Sequence, residues 1–165
     1  MKYLILNFIV IALITLGCAQ RAGKVDLAAE KSAVKEVVDQ MAQAIQTENI
    51  QTISNIVAHD SDIVIFGTDA SERWVGWDMF EAAMRKQFEA FSDSKISVSN
   101  QVINVNSSGQ VAWFSEVMDW SMQTQGQQVD LKGLRLTGVL EKRNNKWLLV
   151  QMHFSVPVSG QAAEY

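Results

Sequence analysis

The sequence predicts an α+β fold in which an antiparallel sheet is folded over helices. Apolar residues recur at the three-and-four spacing of helices as far as about residue 91, and beyond Ser92 they alternate with polar residues as in strands. The segments between the alternating runs carry turn residues such as Asn-Ser-Ser-Gly, Gln-Gly and Asn-Asn. Because helices come first and hairpin-connected strands follow, an α+β class is favoured over a parallel α/β class.

Three helices are predicted in the first half. The first spans Leu27 to Gln46, with its apolar stripe at Val34, Val38, Met41 and Ile45. The second is shorter and its stripe is Ile50, Ile53, Ile56 and Val57. The third carries on one face Phe80, Ala83, Met84, Phe88 and Phe91.

Five strands are predicted. A short run from Ile63 to Phe66 is followed by a loop from Gly67 to Gly76 that leads into the third helix. Four long alternating runs then follow: Lys95 to Val105, Gln110 to Met122, Gln128 to Lys142 and Lys146 to Val156.

Composition excludes several classes of function. The chain has 165 residues, of which 48% are hydrophobic, and its net charge of −4 offers no basic field for nucleic acid. It has no phosphate-binding glycine loop and no Gly-x-Ser-x-Gly elbow, so we expect no cofactor. The turn His59-Asp60-Ser61-Asp62 matches no metal motif, so no metal is expected.

The amino terminus reads as a targeting segment. Residues 1–17 combine Lys2 with a nearly unbroken apolar run that is too short to cross a bilayer, which is typical of a secretory signal peptide. Cys18, the single cysteine, follows Gly17 and resembles the lipidated cysteine of bacterial lipoproteins. This resemblance implies an exported protein anchored in the bacterial cell envelope through Cys18. The alternative is an ordinary signal peptide whose cysteine is incidental.

On this interpretation the chain has four parts. Residues 1–17 are the signal peptide, 18–26 a tether, 27–158 one folded domain and 159–165 a tail.

Two motifs resemble the SnoaL-like domains of the nuclear transport factor two superfamily. One is Phe66 to Gly76 entering a helix, and the other comprises Gly138 to Lys142, Lys146-Trp147 and Gln151 to Pro157. The resemblance covers about residues 33–158. It implies a cone-shaped curved antiparallel sheet wrapped around three helices, with an apolar cavity open at one end and often a dimer formed through the sheet.

The superfamily includes ketosteroid isomerases, dehydratases, hydrolases, transport factors and oligomerisation domains, so the fold does not fix the function. Aligned with the isomerases, this chain has Met41, Phe66 and Gly138 at the three catalytic positions. None of these side chains can transfer a proton or stabilise an enolate by hydrogen bonding. Steroid isomerisation by that set of residues is therefore excluded.

The same alignment implies an apolar, methionine-rich pocket that suits a small hydrophobic molecule. Its expected lining residues are Met41, Phe66, Trp74, Met84, Phe88, Trp120, Leu136, Met152 and Phe154. The alternative is that these side chains fill the cone as ordinary core.

Glu116, His153 and Asp69 are the candidates for general acid/base catalysis. Glu116 is the single carboxylate on the apolar stripe of its strand, so burial would raise its pKa. The alternative that we favour places it on an outer face or pairs it with Arg135 or Lys132. His153 is expected to point away from the cavity, either as an acid/base group or as a sheet or dimer contact.

The loop Thr68 to Trp77 holds Asp69, Glu72, Arg73, Trp74 and Trp77. It either forms a lid over the cone mouth or has a structural role, in which the acids bond loop amides and the tryptophans seal the barrel.

Three functions therefore stay open: a binder of a small hydrophobic ligand, a cofactor-free isomerase, dehydratase or hydrolase, and a dimerisation or interaction module. In a homodimer, Trp113, Arg135 and His153 are the expected interface residues.

Overall fold

The computed structural model describes residues 25–160 and 163, and it confirms the α+β cone. The predicted signal peptide, Cys18 and most of the tether lie outside the described residues. The described residues form three helices and six strands: α1 Leu27–Gln46, α2 Ile50–Ile56, β1 Val64–Phe66, β2 Arg73–Val75, α3 Trp77–Ala90, β3 Phe91–Val105, β4 Val111–Thr124, β5 Gln127–Arg143 and β6 Lys146–Ser155. In the part of the chain that is described, no helix is both long and apolar enough to span a membrane.

Helix α1 has the bounds that its periodicity predicts. It begins after Asp26, whose Oδ1 accepts hydrogen bonds from the backbone N–H groups of Ala28 and Ala29, each at 3.1 Å. Its apolar stripe is buried inside the cone, at Val34, Val38, Met41 and Ile45. Helix α3 ends one residue earlier than its stripe suggests, because Phe91 is already extended and opens β3.

The six strands form one sheet in the order β2-β1-β6-β5-β4-β3. All neighbours are antiparallel except β1 and β6, which run parallel. The segment predicted to be a loop from Gly67 to Gly76 contains β2, which pairs with β1 as a hairpin. This pairing was missed because a strand of three residues is too short to show alternation.

The sheet is bent by irregularities in its register. Two lie in β3, one between β4 and β5, and one between β5 and β6. Bulges bend a strand and increase its twist, so the long strands curl around α1 rather than lie flat. The inner face of the sheet and the helices then enclose a single apolar core.

Residue 138 is a glycine at a place where the ring of the neighbouring Phe114 occupies the space of a side chain. It pairs with Phe114 on β4, and a Cβ at Gly138 would come within 2.6 Å of the Phe114 ring. The absence of a side chain at Gly138 therefore lets the Phe114 ring pack against the sheet.

An ion-pair network fastens the first turn of α1 to the sheet. Glu30 accepts hydrogen bonds from Lys142 Nζ at 2.5 Å and from Trp147 Nε1 at 2.9 Å. The bond from Lys142, followed by that from Trp147, lowers the pKa of Glu30. Both Glu30 and Lys142 are largely shielded from solvent, so the pair is stronger than an open surface pair.

We expect Glu30→Gln to lower the free energy of unfolding at pH 7 by about 1–2 kcal/mol, since it removes charge-assisted hydrogen bonds. Because the folded-state pKa of Glu30 is lowered, its contribution is present above the ordinary glutamate pKa and is lost as the pH falls through the folded-state value. Urea unfolding at several pH values measures this. The control is Glu36→Gln, an exposed site on the same helix; an equal effect of both variants at every pH would contradict the prediction.

Candidate functional site

A cavity of about 90 Å³ lies between α3, the β1–β2 hairpin and the ends of β4, β5 and β6. Its aliphatic and thioether side chains are those of Ile45, Met84, Met122, Leu131 and Leu134. Its aromatic side chains are those of Trp74, Phe80, Phe91, Trp120 and Phe154. The cavity is open to solvent on one side, and we call it the pocket.

The aromatic rings brace one another around the pocket. Trp74 packs on Phe80 with ring centroids 5.9 Å apart, and Phe91 meets Trp120 edge to face at 5.5 Å. Trp120 Nε1 donates to Ser94 Oγ at 3.3 Å, which orients the indole. The walls are therefore formed by side chains with little rotational freedom.

The polar part of the pocket consists of Gly67, Thr68, Glu72 and Gln87. Glu72 Oε2 accepts hydrogen bonds from Thr68 N at 2.7 Å, Asp69 N at 3.1 Å and Thr68 Oγ1 at 3.3 Å. Glu72 Oε1 accepts one bond, from Gln87 Nε2 at 3.3 Å. A Cβ at Gly67 would collide with the Glu72 carboxylate, so glycine is required for this arrangement.

The residues predicted to line the pocket are found in three places: at the pocket, in the core and, for Phe66, on the outer face of the sheet. Trp74, Met84, Trp120 and Phe154 line the pocket. Residues that instead lie within or against the core are Met41, Phe88, Leu136 and Met152. The cone is thus filled by side chains over much of its depth, and space remains at one end.

The expected alignment with the isomerases is wrong at Phe66, which does not face the pocket. Its side chain is 39% exposed and contacts His153 on the outer side of the sheet, with ring centroids 5.6 Å apart. Ile65, the preceding residue, is the one that is buried. Since successive residues of a strand face opposite sides, Phe66 cannot line the pocket.

The structure also corrects the interpretation that we favoured for Glu116. Its side chain is 3% exposed and lies on the inner stripe of β4 between Phe114 and Met118. It pairs neither with Lys132, which bonds Asp119, nor with Arg135, whose side chain is exposed on the other face. Among the described residues, Glu116 is the single charged residue that is buried.

A bulge in β3 supplies the partner of Glu116. Asn100 and Gln101 together stand opposite this one residue, and Asn100 has a φ of 52°. Gln101 Nε2 donates to Glu116 Oε2 at 2.9 Å and to Asp39 Oδ1 at 3.0 Å. Glu116 Oε1 has no hydrogen-bond partner in the described structure. Burial, the largest effect, raises the pKa of Glu116, while the bond from Gln101 opposes that shift.

Glu116 does not line the pocket. It precedes Trp120 by four residues on an extended strand, which corresponds to about 13 Å. The buried carboxyl group and the apolar cavity are therefore separate features of the cone.

The other two acid/base candidates are also outside the pocket. His153 is exposed on the outer face, and Asp69 is exposed in the hairpin turn. In the segment from Thr68 to Trp77, Glu72 bonds loop amides, as the structural alternative expects, and Trp74 lines the pocket. Trp77 is buried and stacks on His59 with centroids 4.2 Å apart.

Apolar groups are also exposed on the outer face of the sheet. Trp113 is 47% exposed and, with Val102 and Val139, borders a shallow depression across β3, β4 and β5. Arg135 and His153 are exposed as well. The three predicted interface residues therefore lie on strands and are accessible.

Besides residues of the β1–β2 hairpin, the pocket residues that were not predicted are Ile45, Phe80, Gln87, Phe91, Met122, Leu131 and Leu134. Their character is visible in the sequence, but which side chains meet at one end of the cone depends on how the helices and the bent strands pack together. Glu72 was noticed only as a member of the loop. The sequence signal is Gly67, five residues earlier, because a residue without a side chain allows the Glu72 carboxylate to approach its backbone closely.

Comparison with solved structures shows the fold. The chain resembles a nuclear transport factor 2 (NTF2-like) superfamily protein from Salmonella enterica with a TM-score of 0.73 at 16% identity, over 84% of this chain and 99% of that one. It resembles a protein from Streptomyces avermitilis, described as a dehydratase of the NTF2-like family, with a TM-score of 0.71 at 12% identity, over 80% and 99% of the two chains.

A third similar structure, from Xanthomonas campestris, is named for the association domain of calcium/calmodulin-dependent protein kinase II. Its TM-score is 0.65 at 21% identity, over 77% of this chain and 87% of that one. No curated protein matched the chain significantly in sequence.

The sequence model of the SnoaL-like domain matches residues 34–159. This match runs from α1 to the end of the sheet, so it includes both the pocket and Glu116. The chain therefore belongs to the SnoaL-like domain family of the NTF2-like superfamily.

Proposed function

We propose that this protein is an exported, lipid-anchored SnoaL-like domain that binds a small hydrophobic molecule in the pocket. The observation that carries the proposal is the pocket itself, a cavity walled by five aromatic side chains whose few polar groups are joined by hydrogen bonds to Glu72. Binding sites for small molecules have this composition, in which a few placed polar groups orient an apolar ligand.

We favour binding over catalysis because none of the three candidates for proton transfer lies at the pocket. Glu116 is buried beneath α1, and Asp69 and His153 are exposed. A general acid or base must come within hydrogen-bond reach of the substrate, directly or through one water. Glu72 lies at the pocket, but three hydrogen bonds from Thr68 and Asp69 hold its Oε2, so this carboxylate has a structural role in the hairpin turn.

A cofactor-free acid/base enzyme is the second candidate, and the unpartnered Glu116 Oε1 favours it. A buried carboxyl group with a raised pKa is a common feature of active sites. For this function a substrate group has to reach Glu116 from the pocket, which requires the intervening core to open.

Export and anchoring are supported by the sequence. Lys2, the apolar run to Leu16 and Cys18 directly after Gly17 resemble a lipoprotein signal, with Thr15 and Leu16 departing from the residues that the family prefers before the cysteine. Two or more acyl chains on Cys18 hold a protein stably in a membrane, whereas a single chain does not.

Dimerisation through the sheet is supported by the exposed apolar groups on its outer face. Trp113 and Val102 would be shielded from water by a second copy. Burying this face leaves the pocket free, because the pocket opens at the end of the cone.

Trp120→Ala is expected to weaken ligand binding at least tenfold, since it removes a wall of the pocket. NMR titration of the domain with benzyl alcohol, a neutral molecule with one ring, measures the change. Trp113→Ala is the matched control, because it removes a tryptophan side chain from the outer face of the same strand. It should leave the affinity for benzyl alcohol unchanged and reduce self-association in analytical ultracentrifugation. Equal affinities of both variants for benzyl alcohol would contradict the placement of the site.

Cys18→Ser is expected to move the protein from the membrane fraction to the soluble fraction of an expressing bacterium, because no acyl chain can be attached. Mass spectrometry of the purified wild type should show an acylated amino-terminal Cys18. An unmodified chain that begins elsewhere, with the same distribution for both proteins, would refute the anchor and leave the pocket unaffected.

The free energy of unfolding of Glu116→Gln is expected to increase relative to that of the wild type as the pH rises. Because burial raises the folded-state pKa of Glu116, its favourable contribution is complete below the ordinary glutamate pKa and is lost as the pH rises through the folded-state value. Urea unfolding between pH 4 and about 9 tests this, with the exposed Glu89→Gln as control. A difference between wild type and Glu116→Gln that does not depend on pH would contradict the prediction.

The same variant separates the two candidate functions. The ligand is first identified by mass spectrometry of an extract from the native protein. If the wild type converts that molecule and Glu116→Gln does not, the protein is an enzyme. If both variants bind the molecule and return it unchanged, it is a binding protein.

A further inference from the structure

We infer that the pocket selects a small organic cation, an ammonium group carried on an apolar body of about one ring. This inference rests on the proposed function, because it specifies the ligand of the same site. It comes from the charges and rings of the described lining residues. Among them Glu72 is the single ionisable group, and none is Lys, Arg or His.

Glu72 is held in place as a fixed negative charge. Its Oε2 takes three bonds from Thr68 and Asp69, which prevents the side chain from turning out to solvent. Its Oε1 accepts only the long bond from Gln87. Because a carboxylate oxygen accepts about two hydrogen bonds, Oε1 retains room for one more donor.

No cation of the lining neutralises this charge. The nearby Arg73 is exposed, and its guanidinium lies 6.0 Å from the centroid of Phe66, on the outer side of the hairpin. A ligand carboxylate in the pocket would meet Glu72 with no counter-charge, which costs free energy. A ligand ammonium group would instead form a charge-assisted hydrogen bond.

The aromatic walls favour the same class of ligand. The faces of Trp and Phe rings attract cations, and desolvation strengthens that attraction. Five such rings and one carboxylate around a single cavity make an environment in which an ammonium ion is better stabilised than a neutral group of the same shape.

The size of the cavity limits the ligand. An engineered apolar cavity of about 150 Å³ holds benzene, and the pocket has about 90 Å³ with one open side. Because about 90 Å³ is less than the volume of the cavity that encloses benzene, a single ring can enter only in part, and the rest of it lies at the open side of the pocket.

The test uses three probes of one shape at pH 7: benzylamine, which is protonated, benzyl alcohol, which is neutral, and benzoate, which is an anion. NMR titration of the domain, followed at the Trp120 indole N–H, gives the three dissociation constants. We expect benzylamine to bind at least fivefold more tightly than benzyl alcohol, and benzoate to bind most weakly. Benzyl alcohol or benzoate binding as tightly as benzylamine would overturn the inference.

Glu72→Gln is the decisive variant, and it should abolish the preference for benzylamine over benzyl alcohol. Asp69→Asn is the matched control, because it removes one negative charge from the same turn without altering the pocket lining, and it should keep the preference. Equal losses in both variants would show that only the net charge of the turn matters, and would overturn the inference.

If Glu72→Gln does not fold, Gln87→Leu provides a second test. Loss of the Gln87 donor leaves Glu72 Oε1 free for the ligand ammonium group, so the preference for benzylamine should increase, and a smaller preference would overturn the inference. The outcome also separates the two proposals. If benzyl alcohol binds as tightly as benzylamine, the inferred selection of a cation is refuted and the proposed binding of a small molecule in the pocket stands. If no probe binds near Trp120, both proposals are refuted.

Discussion

The curvature of the sheet is the constraint on which the rest of the structure depends. Four long strands can enclose α1 only if they bend, and the interruptions of register in β3, β4, β5 and β6 provide the bends. The enclosed apolar surface supplies the main stabilisation of the domain. The pocket is the part of this enclosure that the helices do not fill.

The same bends position polar side chains both inside the cone and on its outer face. In β3 the bulge turns Gln101 toward Glu116, and at the β4–β5 irregularity the backbone N–H of Gly133 donates to Asp119 at 2.9 Å. A regular sheet would give neither contact, because each residue would face one partner directly. Curvature and the positions of these polar side chains are therefore consequences of one backbone feature.

Two glutamates show how surroundings assign different roles to the same side chain. Glu116 is buried with an unpartnered oxygen, so its charged form is unfavourable. Glu72 is held by loop amides at the edge of a cavity, so its charge is fixed where a ligand can meet it. The superfamily fold is compatible with both binding and catalysis, and these local environments, rather than the fold, support the proposed function.

The helices and the long strands could be predicted from the sequence, because hydrophobic periodicity and turn residues are local properties of α1 and of β3 to β6. The family was indicated separately, by the resemblance of two motifs to SnoaL-like domains. The sequence also identified Trp74, Met84, Trp120 and Phe154, which line the pocket. Three positions became visible in the fold alone: Phe66 faces outward, Glu116 is buried away from Lys132, and Glu72 lies at the pocket. The physical reason is that a one-residue shift in register reverses the face of every side chain that follows, and the bulges that cause such shifts leave no periodic signal.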